Sequence, residues 1–161
     1  SSLKPGTEQP RWRRPRAMAA TPIGGRKLRV LALHSGGTNS RVMHFQTAPL
    51  RKLLGPDVEW LIPDAPHVWE PRTLQEPQHL GMQHYFNEKS QFEKTLAQGR
   101  PFVEWYTVIT PDGLLPQFRE ESIRATNDWA MEYIAGAGPV DVVVALAQGA
   151  IIALELAELC R

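Results

Sequence analysis

The spacing that bears most directly on chemistry is Ala145-Leu146-Ala147-Gln148-Gly149, which joins a β-rich apolar run to a helix-prone one. A strand, a tight turn and a helix can hold a nucleophile in a strained backbone conformation, and the residues two before and two after it must then be small. Ala145 and Gly149 meet that demand around Ala147. In such an elbow the next residue donates its backbone N–H to a developing oxyanion, with the dipole of the helix N-terminus behind it. Gln148 fills that position without using its side chain. Ala147 carries a methyl group where acyl transfer needs a hydroxyl, so the turn reads as an elbow without its nucleophile. Alone the pattern is weak, because many strand-to-helix corners hold small residues.

An oxyanion hole of this type takes a second N–H from the loop after an early strand. His34-Ser35-Gly36-Gly37 occupies that place, and Gly36 is the expected donor, with His34, Ser35 and Gly37 supporting the loop. Ser35 has no base predicted beside it and reads as a loop-capping hydroxyl. His34 reads as a hydrogen-bonding support, with a role as base the less favoured alternative. His67, His79 and His84 lack the spacing of metal ligands, and no metal site is expected. Asp64 precedes Ala65-Pro66 and reads as a turn former before it reads as a site residue. Gly36-Gly37-Thr38 matches neither G-x-G-x-x-G nor the P-loop lysine pattern, so no nucleotide or other cofactor is expected.

These loops need elements to position them. Leu28–Leu33 is bounded by turn signals and suits a buried parallel strand. Asn39 or Ser40 can cap the following helix, in which Val42, Phe45, Leu50, Leu53 and Leu54 recur at helical spacing and Pro49 forces a kink or a restart. Asp57–Ile62 is a second strand. Residues 67–116 are rich in proline, glutamine and aromatics with only short regular pieces, the pattern of a lid or binding loop, whose aromatic side chains serve either as core plugs or as pocket walls. Phe118–Ile134 is an amphipathic helix marked by Ile123, Trp129, Met131, Tyr133 and Ile134. Val140–Leu146 is a third strand, expected to be buried, and Gln148–Leu159 a helix. Strands alternating with helices, without hairpin signals, predict an α/β fold on a parallel sheet. Its chemistry gathers at the carboxyl ends of the strands, here residues 34–38, 64–67 and 146–149.

Length and composition set the outer limits. The 161 residues suffice for one domain, and the apolar and charged fractions are those of a globular protein. A net charge of +1 gives no bias toward nucleic acid or acidic membranes, and neither is an expected partner. The most apolar run, Val142–Leu154, is interrupted by Gln148 and is shorter than the roughly 20 residues a bilayer requires. Cys160, the single cysteine, reads as an incidental thiol in a reducing compartment, which favours the cytoplasm. Residues 1–26 read as a basic, proline-containing tail ahead of a domain spanning 27–161. An initial serine fits a fragment, Met18 is a candidate native start, and the arginine-rich stretch has an organelle transit peptide as its rival reading.

The segment Leu31-Ala32-Leu33-His34-Ser35-Gly36-Gly37-Thr38-Asn39-Ser40, followed by Gln46-Thr47-Ala48-Pro49-Leu50-Arg51, resembles the opening of the FSH family. These are small serine hydrolases of the α/β-hydrolase fold, including ovarian-tumour-associated esterases and polyketide-releasing thioesterases. Asp64-Ala65-Pro66-His67 is similar to the turn after the family's second strand. Gly138-Pro139-Val140-Asp141 through Ala145-Leu146-Ala147-Gln148-Gly149-Ala150 is similar to its Gly-Pro-Phe-Asp…Gly-Phe-Ser-Gln-Gly-Ala block. The resemblance covers about Leu28 to Leu159. It implies a carboxylic ester or thioester as the small-molecule partner of the parent family, no cofactor, and oxyanion donors at Gly36 and Gln148. The departures are specific: the family serine falls on Ala147, its loop glycine on Ser35 and its first elbow glycine on Ala145. The sequence given stops at Arg161, ahead of the strands that carry the family's aspartate and histidine, so a truncated sheet and an inactive chain are expected. A non-catalytic domain that binds a ligand or a protein partner is the alternative.

Overall fold

The computed structural model describes residues 25–71, 88–109 and 117–159. The tail before residue 25, Met18, His79, His84 and Cys160 lie outside the described residues.

Strand β1 (Leu28–Leu33) is the centre of a three-stranded parallel sheet, with β2 (Val58–Leu61) on one side and β7 (Val142–Ala145) on the other. The register sets Leu28 beside Val58 and Leu33 beside Ala145, so the end of β1 and the end of β7 are level. Residues 30–33 are all buried, as a strand covered on both faces requires. Between β1 and β2 the chain forms two short helices, α1 (Ser40–Gln46) and α2 (Ala48–Leu54). Pro49 sits in the first turn of α2, where its missing N–H costs nothing, and the chain restarts a helix instead of kinking one. Asn39 caps α1, its Oδ1 accepting from the amides of Arg41 and Val42 at 3.1 Å.

The weakly patterned middle of the sequence folds into small pieces that serve the core. Strand β3 (His67–Val68) pairs antiparallel with β4 (Val103–Glu104), and β5 (Val108–Ile109) with β6 (Gln117–Phe118). Helix α3 (Gln91–Ala97) opens with a reciprocal cap between Ser90 and Glu93. Trp69, Trp105 and Tyr106 are buried. Of the two roles left open for the aromatics, these three are core plugs. Trp105 is wholly inaccessible and packs with Leu31, Leu33, Ile152 and Leu156 in one cluster. Burying a side chain of that size stabilises the fold by about 2–3 kcal/mol.

Helix α4 (Glu120–Ala137) packs Ile123, Trp129, Tyr133 and Ile134 against the core as its periodicity predicts, and departs from its sequence reading at Met131. Met131 is 40% exposed, while Ser122, Thr126 and Ala130 form the buried stripe. The reason is a close approach to the Trp105–Thr107 backbone. The Ser122 hydroxyl accepts from the Thr107 amide at 2.9 Å, and the Thr126 hydroxyl donates to the Trp105 carbonyl. Small polar side chains let a helix come that near, and a hydrophobic periodicity does not reveal them.

Strand β7 is likewise not buried along its length. Val142 and Val143 are 41% and 42% exposed, because β7 has a sheet neighbour only on the β1 side among the described residues. Helix α5 (Gln148–Leu159) follows it and packs Ile152 and Leu156 into the core.

Candidate active site

Two turns meet at the carboxyl ends of β1 and β7. The Leu146 amide donates to the Leu33 carbonyl at 3.0 Å, carrying the pairing with β1 one residue past the strand. At Ala147 the backbone then enters the left-handed region, with φ at 46°. An L-residue there costs about 1–2 kcal/mol, so the turn is held by its surroundings and not by its own preference. The amides of Gly149 and Ala150 bond back to the carbonyls of Leu146 and Ala147, both at 2.9 Å, and the helix is under way at once.

Gly149 has a plain steric reason. A Cβ on it would lie 2.6 Å from the Leu33 carbonyl oxygen and 2.7 Å from that of His34. The first turn of α5 therefore rests directly on the end of β1. Gly36 is constrained the same way from the other side, since a Cβ there would fall 2.3 Å from Cδ of Gln148. The first loop and the elbow are thus in direct contact through Gly36 and Gln148. Ala145 is half-buried at the end of β7, level with Leu33.

The Gln148 side chain has a task that sequence reasoning did not foresee. Its Oε1 accepts from the Trp105 amide at 3.0 Å and its Nε2 donates to the Tyr106 carbonyl at 3.1 Å. Trp105 in turn donates its indole N–H to the His34 carbonyl at 2.6 Å. A segment remote in sequence therefore ties the two turns together.

His34 is fully buried and lies 4.9 Å, ring to ring, from Trp105. Its Nε2 accepts from the Ala65 amide at 3.1 Å, which leaves the proton on Nδ1, 2.7 Å from the Ser35 carbonyl. Burial holds its pKa below the usual histidine range against the opposing pull of the Ser35 carbonyl and Asp64. A neutral ring with both nitrogens engaged fixes the loop. Gly37 runs at φ 67° and donates its amide to the Val103 carbonyl at 2.9 Å, so it too is engaged in holding the loop. Ser35 supplies its carbonyl to His34 and to the Thr38 hydroxyl.

Asp64 accepts from the Ser40 amide at 2.6 Å and from Arg100 at 2.9 Å. Partial burial would raise its pKa, but the Ser40 and Arg100 hydrogen bonds outweigh it and keep the carboxylate below its usual range. His67 bonds at Nε2 to the Ser122 carbonyl and the Thr126 hydroxyl, away from the elbow residues. Among the described residues no three His, Cys, Asp or Glu side chains converge as a metal set. No described helix is long and apolar enough to cross a membrane.

Lys89 carried no sequence signal. Its ammonium lies 4.2 Å from the Trp69 ring centroid, 3.9 Å from Glu93, and within 2.9 Å of where a Gly37 Cβ would be. Burial lowers its pKa and Glu93 opposes the shift. The cation packs against the first loop from beneath and helps explain why position 37 is glycine.

A parallel sheet flanked by helices, with a left-handed strand-to-helix turn resting on a glycine-bearing first loop, defines an α/β-hydrolase-like domain. The chain belongs to the serine hydrolase (FSH1) family, whose model matches residues 23–161. No curated protein matches the chain.

Proposed function

We propose that residues 27–161 form a domain of the class that cleaves carboxylic esters or thioesters, and that this chain, as given, makes no acyl-enzyme. The observation that carries the reading is Ala147 at φ 46°, in the tight turn between β7 and α5. A serine there would present its hydroxyl to an acyl carbon, with the amides of Gly36 and Gln148 receiving the oxyanion. Alanine keeps the backbone and removes the only atom that could attack. Ser35 does not replace it, because its neighbour His34 is neutral and engaged at both nitrogens.

Incubation with a fluorophosphonate probe tests the claim. No serine of the chain should be labelled, and labelling at any of them overturns it. In a chain that also carries the family's aspartate and histidine, Ala147→Ser should restore ester hydrolysis, since histidine deprotonates the serine and aspartate orients the histidine.

A second reading, a domain that binds a ligand without chemistry, is favoured by the left-handed geometry itself. The elbow persists at a cost of about 1–2 kcal/mol although it has nothing to present. Saturable binding of a non-hydrolysable ketone analogue of an ester, lost on Gly36→Val, supports this second reading; no binding removes it.

A further inference from the structure

A cavity of about 370 Å³ opens between α1, α2, the end of β2 and Arg100. None of its lining residues belongs to the first loop at 34–37 or the elbow at 145–149. Its chemistry is that of a cationic cup. Arg100 is balanced by Asp64 at 2.9 Å. Arg51 donates from Nη2 to the His44 carbonyl at 2.9 Å, and neither Arg51 nor Arg41 has a carboxylate within ion-pairing distance among the described residues. Two guanidinium groups that line the cavity thus have no ion-pair partner among the described residues. Trp60 and Ile62 supply its apolar lining. Trp60 Nε1 and Arg51 Nε are both buried without an acceptor among the described residues.

We infer that this cavity binds a small-molecule phosphate monoester: a dianion held by Arg41 and Arg51, attached to a flat apolar body that lies against Trp60. Guanidinium forks match the oxygens of a phosphate, and two of them match its double charge. The volume sits near the lower end of the range for ligand pockets, roughly 300–1,000 Å³, which admits a phosphate with one ring and excludes a dinucleotide. His44, exposed at the cavity, has its pKa held low by what burial it has and by the charges of Arg51 and Arg41.

Calorimetric titration of the full chain with phenyl phosphate, at fixed ionic strength, tests the inference. One-to-one saturable binding is expected, with inorganic phosphate, which lacks the ring, binding more weakly. Arg41 is exposed, so Arg41→Ala leaves the fold intact and should weaken binding about tenfold, the loss of one charge-assisted contact. Arg51→Lys keeps the charge, removes the fork, and should also weaken it. Arg124→Ala, which removes an exposed arginine paired with Glu120 on α4, should change nothing. No saturable binding overturns the inference. So does undiminished affinity in both Arg41→Ala and Arg51→Lys, an equal loss in Arg124→Ala, or inorganic phosphate binding as tightly as phenyl phosphate.

Discussion

Position 147 shows what one residue can keep and what it can lose. Its φ of 46° is a conformation glycine enters freely and alanine enters at a cost of about 1–2 kcal/mol. Glycine gives back part of that gain through the larger entropy of its unfolded chain, roughly 0.5–1 kcal/mol. Ala147→Gly is therefore expected to stabilise the protein by up to about 1 kcal/mol, read from the urea midpoint at unchanged slope. A lower midpoint would show that the turn is not strained. The neighbouring Gln148 divides its labour: its side chain is committed to Trp105 and Tyr106, so the site role proposed for it falls to the backbone.

At the scale of elements, the elbow exists because α5 sits on the end of β1. That seating is set by Gly149, whose would-be Cβ faces two backbone carbonyls that belong to a buried strand and its exit. Neither can swing aside as a side chain can. Gly149→Ala should thus cost about 1–3 kcal/mol or more by overpacking, with α5 displaced from β1. Loss of hydrogen-exchange protection at the Leu146 amide, which bonds to Leu33, would report the displacement. If stability and protection both survive the substitution, the close seating is not what holds the elbow.

Across the whole molecule, Asp141 joins the first of the described residues to the start of β7. It accepts from both Arg26 nitrogens at 2.7 Å and from the Arg29 amide at 2.8 Å. Arg26, placed at the end of the tail by the sequence, is thereby anchored to the sheet. Those hydrogen bonds lower the Asp141 pKa to about 2, whereas an unfolded aspartate titrates near 3.9. A folded pKa below the unfolded one contributes stability above about pH 4 that is lost as pH falls toward 2. Asp141→Asn should therefore show a shallower fall in Tm across that window. Asp64 shifts in the same direction, so the fall is reduced, not abolished. An unchanged slope would remove Asp141 from the acid response.

The local signals in the sequence determined the parallel α/β order, a helix cap at Asn39 or Ser40 and a break in the helix at Pro49; the structure chose Asn39 and a restart. Each depends on periodicity, capping chemistry or small residues at short range, and these act within a few positions. Only the tertiary structure decided how the turns are joined. Trp105, Gln148 and Thr126 form one hydrogen-bonded chain from positions 21 to 43 residues apart, and no spacing rule links them. It also decided that α4 buries Ser122 and Thr126 in place of Met131, that Lys89 lies under the first loop, and that three arginines from different segments share a cavity with Trp60. Such features depend on which surfaces meet when the sheet closes against its helices, and a linear pattern does not hold that information.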